Sequence, residues 1–215
     1  MSDTIAVIGD IHGCFYTLSD LYKKLILQTS EIYSVGDLVD RGPKSKDVVQ
    51  FCIDKNIIPV KGNHEDMLLK AIEGKDSYGH YMNGGNATEI SYTGLSKHKQ
   101  LDIYKEALES SGHLKYLNSL PLKIETGDVL ISHAGIIKNG DDRTIMWNRE
   151  EELLKLDKFQ IIGHTPVKEP LFEKGWYMNI DTGCVYGNKL TGIILERTGG
   201  KLLEIIQSKL RDSFY

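Results

Sequence analysis

Five apolar runs in this sequence end in the same way. Residues 4–8 lead into Gly9-Asp10-Ile11-His12, 32–35 into Gly36-Asp37, and 57–60 into Gly62-Asn63-His64-Glu65. Residues 129–132 lead into His133-Ala134-Gly135, and 159–162 into Gly163-His164-Thr165. One Asp-x-His carries little information. Five short apolar runs, each ending in glycine or a small residue beside a metal-capable side chain, predict a site built at the carboxyl ends of sheet strands.

Between the early runs the apolar period changes from strand to helix. Phe15, Leu18, Leu21, Tyr22, Leu25 and Ile26 recur at helical spacing and predict a helix to about residue 28. Val48, Val49, Cys52 and Ile53 give a second helix its apolar face, and Pro43 suits its start. Strand, helix, strand, helix, strand implies βαβ units and a largely parallel sheet segment. Pro59 places the third strand at an edge or a bend.

Residues 65–120 read as a helical insertion, with patterns over 83–92 and 97–111. Gly84-Gly85 does not suit a helix interior, where each glycine costs about 1 kcal/mol; it predicts a tight turn or a close approach of backbone. After Pro121 a hairpin is expected over 122–125 and 129–132, followed by strands over 159–162, 177–180, 191–195 and 202–206, in mixed or antiparallel pairing. Residues 211–215 are expected to fray. The reading is one α/β domain over 1–215, with two packed sheets and helices outside both.

Twenty-six Lys and Arg against 30 Asp and Glu give a formal net charge of −4 and no basic footprint for nucleic acid or a membrane surface. No apolar stretch reaches membrane-spanning length and the first run is too short for a signal-peptide core, so a cytoplasmic protein is expected. Cys14, Cys52 and Cys184 are odd in number and widely spaced, and read as free thiols. Oligomeric state is not legible.

Asp10, His12, Asp37, Asn63, His133 and His164 form an oxygen and nitrogen donor set without thiolate. Such a set suits Mn²⁺, Fe, Zn²⁺ or Co²⁺. Six donors exceed what one four- or five-coordinate ion needs and fit two that share a carboxylate, with Asp37 as the natural bridge. Ions about 3.5–4 Å apart can hold a hydroxide and clamp phosphoryl oxygens. Arg41 offers a planar fork for phosphate. His64, next to Asn63, is placed to protonate a leaving oxygen, with Asp40 holding its tautomer. Taken singly, Asp37 could cap a turn and Asn63 a helix; capping does not explain a strand-like run and a glycine or small residue at nearly every candidate.

The blocks Gly9-Asp10-Ile11-His12-Gly13, Gly36-Asp37-Leu38-Val39-Asp40-Arg41-Gly42 and Gly62-Asn63-His64-Glu65, with those at His133 and His164, resemble the phosphoprotein phosphatase branch of the calcineurin-like metallophosphoesterases. Asp181-Thr182-Gly183-Cys184 resembles a block shared with symmetrical diadenosine tetraphosphatases, and Asn83-Gly84-Gly85 with Thr88 resembles a bacterial and phage form. The resemblance implies a four-layer α/β/β/α sandwich holding two divalent ions, Mn²⁺ foremost. Asp10, His12 and Asp37 would hold one ion; Asp37, Asn63, His133 and His164 would hold the other. His64 with Asp40 would be the acid pair, and Arg41 would bind phosphate together with Arg149, Arg143 being the alternative. The implied activity is hydrolysis of phosphorylated proteins or peptides by in-line attack of a bridging hydroxide. The alternative is a diadenosine tetraphosphatase acting on dinucleoside polyphosphates, and a metal-binding scaffold is the non-enzymatic reading. A nucleoside pocket would have to come from the helical stretch 74–120, where Tyr78, Tyr81, Tyr92 and Tyr104 could stack on bases or simply pack.

Overall fold

The computed structural model describes residues 3–95 and 99–213. Its first part alternates as the sequence pattern demands: β1 (Thr4–Ile8), α1 (Phe15–Leu25), β2 (Ile32–Ser34), α2 (Ser45–Asp54) and β3 (Ile58–Pro59). The insertion follows as α3 (Asn63–Ile72), α4 (Ser77–Met82), α5 (Gly85–Thr93), α6 (Leu101–Ser110) and α7 (His113–Asn118). The remainder is strand-rich: β4 (Lys123–Thr126), β5 (Val129–Ser132), α8 (Thr144–Trp147), β6 (Phe159–Ile162), β7 (Leu171–Glu173), β8 (Tyr177–Asn179), a 3₁₀ turn at Cys184–Tyr186, β9 (Lys189–Glu196) and β10 (Leu202–Lys209).

These strands make two mixed five-stranded sheets flanked by helices, in the orders β10-β9-β1-β2-β3 and β4-β5-β6-β8-β7. In the first, β1, β2 and β3 run parallel while β9 and β10 return antiparallel. Pro59 lies on the edge strand β3, where its missing N–H breaks no central ladder. In the second, β5, β6 and β8 are parallel, with antiparallel β4 and β7 at the edges.

The two-residue period of β1 divides the core. Ile5 and Val7 point between the sheets, with Val129, Ile131, Ile161 and Met178. Ala6 and Ile8 point to the helical side, with Leu18, Leu21, Leu68 and Leu108. All three cysteines are buried free thiols. Among the described residues, no helix is long and apolar enough to cross a membrane.

Several local expectations shift. The first helix stops at Leu25, and the pattern over 97–111 yields a helix only from Leu101 to Ser110, with 97 and 98 outside the described residues. The strand β7 escaped the reading because Leu171-Phe172-Glu173 is too short to show an alternating period, and all three residues are exposed. Tyr92 and Tyr104 are buried in the core and cannot stack on a ligand.

The expected fraying of 211–215 is not seen at Arg211 and Asp212; residues 214 and 215 lie outside the described residues. The Asp212 carboxylate accepts hydrogen bonds from Tyr16 N–H (3.0 Å), Thr17 N–H (3.0 Å) and the Thr17 hydroxyl (2.7 Å). It thereby satisfies donors in the first turn of α1, whose own N-cap, Cys14, supplies no side-chain bond.

Candidate metal centre

The loops after β1, β2, β5 and β6 and the first turn of α3 converge at one end of the two sheets. Asp37 is their meeting point. Its Oδ2 lies 3.4 Å from His12 Nε2, 3.4 Å from His133 Nε2 and 4.0 Å from His64 Nε2. Two groups of potential donors share it: His12, Asp37 and His64, and Asp37, His133 and His164, with the donor atoms of each group within 4.8 Å of one another. Asn63 Oδ1 sits 2.9 Å from His133 Nε2 and 3.0 Å from His164 Nδ1. Asp10 adjoins them, its carboxylate accepting from His164 N–H at 3.1 Å. The six residues read from the sequence as ligands are thus gathered in one place. His64, read as a neighbour of the ligands, approaches Asp37 as a member of the first group.

The donor chemistry fits a pair of divalent ions. Asp10, Asp37 and Asp181 are all buried here, a density of negative charge that calls for cations. Burial together with the Asp181 charge holds the Asp10 carboxyl well above the usual range, and burial pushes Asp181 up to about 6. The Nδ1–H of His12 donates to Val39 O (2.9 Å) and that of His133 to Val35 O (2.7 Å). Both rings therefore turn Nε2 toward Asp37, the edge a metal ligand needs; against the effect of burial the Asp37 carboxylate raises His133 to about 10, so a bound cation would take the place of that Nε2 proton. Burial also lowers His12 and His164 to about 3, keeping both imidazoles neutral.

The backbone is strained where these side chains are aimed. Of the eight described non-glycine residues with positive φ, five are His12, Asp37, Asp40, Arg41 and His164. Such conformations cost about 1–3 kcal/mol each and persist only when their surroundings enforce them. Glu65 supplies much of that enforcement. Fully buried, it accepts from the N–H groups of Asp37 (2.9 Å), Leu38 (2.8 Å), Val39 (3.2 Å) and Gly62 (2.9 Å). The glycines beside the candidates have a steric reason: a Cβ on Gly62 would strike the Asp37 carboxylate, and one on Gly163 that of Asp10.

The pair His64 and Asp40 is formed, with His64 Nδ1–H donating to Asp40 Oδ2 at 2.8 Å. Thr88 Oγ1 donates to Asp40 Oδ1 (2.7 Å) and accepts from Asp40 N–H (2.8 Å). Burial raises the Asp40 carboxyl, but His80 and His64 together pull it well below the usual range. Two arginines reach the centre from opposite sides. An Arg41 guanidinium N–H donates to His12 Nε2 at 2.6 Å, and Arg149 Nε donates to His164 Nε2 at 3.1 Å. Arg143 has no such contact among the described residues; its backbone N–H donates to Asp141 at 3.1 Å. Glu65, Thr88 and Asp181 were given no role in the sequence reading, although each stands inside a block quoted there.

Residues 3–203 match the family of calcineurin-like phosphoesterases. A bis(5'-nucleosyl)-tetraphosphatase PrpE, designated asymmetrical, from Oceanobacillus iheyensis is 33% identical over 87% of this chain and 86% of its own length. Serine/threonine-protein phosphatase 1 of Salmonella typhimurium is 32% identical over 86% of this chain and 88% of its own. A solved candidate diadenosine tetraphosphatase superposes with TM-score 0.70 at 22% identity, covering 98% of this chain and 95% of that one. The nucleotide-cleaving relative is of the asymmetrical kind, whereas the Asp181 block resembles the symmetrical enzymes. With this match over nearly its whole length, and with its two Asp37-sharing groups suited to a pair of divalent ions, the chain belongs to the calcineurin-like phosphoesterases.

Proposed function

We propose that the chain hydrolyses dinucleoside polyphosphates, using two divalent ions, with Mn²⁺ the expected occupant. The observation that carries this reading is a pair of hollows flanking the metal centre, one beside each arginine. A hollow of about 270 Å³ borders Arg149 and is walled by Leu153, Val167, Trp176 and Tyr177. A more open one of about 480 Å³ borders Arg41, with Met82, Asn83, Val185 and Tyr186. The Arg41 guanidinium carbon lies 5.4 Å from the centre of the Tyr186 ring. A substrate with a nucleoside at each end of a phosphate chain has a use for both hollows. The relation to the Oceanobacillus enzyme supports the same substrate class.

In this reading Asp10, His12 and Asp37 hold one ion, and Asp37, Asn63, His133 and His164 hold the other. Bound there, the ions supply Lewis-acid polarisation of a phosphoryl group and a nucleophile at neutral pH. Arg41 and Arg149 orient the phosphate oxygens and offset the charge that grows on them. His64, held by Asp40 through Nδ1, presents Nε2 to the leaving oxygen and delivers its proton.

A second reading, a serine/threonine phosphatase, is favoured by that acid pair. An alkoxide leaves poorly without a proton, whereas a nucleotide phosphate leaves with less help. The test is an assay of the Mn²⁺-loaded chain on diadenosine tetraphosphate and on a phosphoserine peptide, comparing kcat/KM and identifying the products. Faster dinucleotide turnover giving a mono- and a triphosphate supports the proposal. Faster peptide turnover overturns it in favour of the second reading.

A further inference from the structure

His80, on α4, is fully buried and lies outside the metal centre. Its Nδ1 sits 3.4 Å from Asp40 Oδ2, the same oxygen that accepts from His64. At that distance it is a close approach rather than a formed hydrogen bond, and neither ring nitrogen has a hydrogen-bond partner among the described residues. The ring lies near-parallel to Tyr104, with centroids 6.1 Å apart and an interplanar angle of 20°. The Tyr81 ring packs tilted against it, with centroids 5.4 Å apart, and the backbone at Gly85 is so close that a Cβ there would collide with the ring. Phenylalanine would suit an aromatic slot of this kind without burying two unpaired nitrogens. An imidazole there despite that penalty points to a use for its nitrogen, and the carboxylate it faces is Asp40.

We infer that His80 is a positioning residue for the acid: with Thr88 it locks the Asp40 carboxylate in the plane that keeps Oδ2 aimed at His64 Nδ1. The His64–Asp40 pair thereby becomes a buried chain of three, His64, Asp40 and His80. Thr88 holds Oδ1 from α5 while His80 faces Oδ2 from α4, so each carboxylate oxygen has its own restraint from the insertion. Gly84, between these two residues, accepts from Arg41 N–H at 3.1 Å and carries the left-handed φ of 96° that turns the chain from one helix into the next. The segment 80–88 thus braces the acid pair and the neighbouring arginine together.

This inference deepens the proposed function and rests on its reading of His64 as the acid. The test compares phenyl phosphate, a poor leaving group, with p-nitrophenyl phosphate, a good one, on the Mn²⁺-loaded full chain. His80→Phe and His80→Leu are measured in parallel, so that a packing defect in one does not decide the outcome. The expected result is a loss in kcat on the order of tenfold for phenyl phosphate, and a clearly smaller loss for p-nitrophenyl phosphate, at unchanged metal content. His80→Gln, which restores a side-chain N–H, should recover part of the difference. In an Asp40→Asn background, His80→Phe should add little. Equal losses on both esters, no loss on either, or an undiminished effect in the Asp40→Asn background would overturn the role. His64→Asn is the control for the premise. If that variant shows no dependence on leaving group, the acid assignment itself fails; if it shows one and the His80 variants do not, only the role of His80 falls.

Discussion

Two arms meet at Asp37, and they are built differently. The arm from the first sheet carries His12, Asp40, Arg41 and His64. Behind it stand Glu65, His80 and Thr88, all fully buried and drawn from the helical insertion. The arm from the second sheet carries His133, His164 and Arg149. Arg149 is exposed, as are Glu150, Glu151 and Glu152 after it. Among the described residues its guanidinium is joined to the centre through a hydrogen bond to His164. The contrast separates two demands on one site. On the proposed function, proton delivery by His64 would need angles held to within a hydrogen bond's tolerance, which a packed insertion suits, and substrate entry would need an open rim, which a short exposed loop suits.

The largest effect should come where the arms join. Asp37→Asn removes a donor from both groups, and loss of several kcal/mol of charge stabilisation corresponds to at least roughly a thousandfold in rate. Metal analysis of the purified variant should show depleted content, and full occupancy with normal turnover would undo the shared-carboxylate account. Next is the open arm. Arg149→Ala should lower kcat/KM roughly tenfold through loss of a charge-assisted contact, while Arg143→Ala should change it less than about twofold. The reverse order would transfer the phosphate role to Arg143. On the side of Arg41, Tyr186→Ala should raise KM for diadenosine tetraphosphate about fivefold, the lower end of what base stacking contributes, and affect p-nitrophenyl phosphate far less. Equal shifts on both substrates would remove the base-stacking role. The smallest kinetic effect is expected at a carboxylate that bonds the first turn of α1 rather than a candidate ligand. Asp212→Ala should leave rates unchanged and cost about 1 kcal/mol, a fall in Tm of about 2–4 °C, as α1 loses its cap. An unchanged melting curve would show that the cap does not stabilise.

How legible these features were follows from their physics. The two sheets and the gathering of Asp10, His12, Asp37, Asn63, His133 and His164 could be read because strand periodicity and strand ends are local. The bracing could not. His80 sits in a six-residue helix whose pattern gives no hint that its ring turns toward Asp40, 40 positions earlier. The left-handed φ of His12 or Asp37 has only a weak signature in residue type, since Asp and His visit that region more often than other side chains but far less readily than glycine. Asp212 looked like part of a loose tail because its partner, Thr17, is 195 positions away.

The order of strands in the first sheet has a consequence for how the protein comes into being. β1, which leads into Asp10 and His12, lies between β2 and β9. During synthesis β2 follows within a few tens of residues, but β9 begins only at Lys189. Until that stretch leaves the ribosome, one flank of β1 has no strand partner and the loop bearing the first ligands lacks half its support. His164, the last of the six candidate ligands, also appears late. On the proposed two-ion reading the full donor set would form only once these long-range pairings close, which is slow relative to local helix formation, so uptake of both ions would fall late in folding.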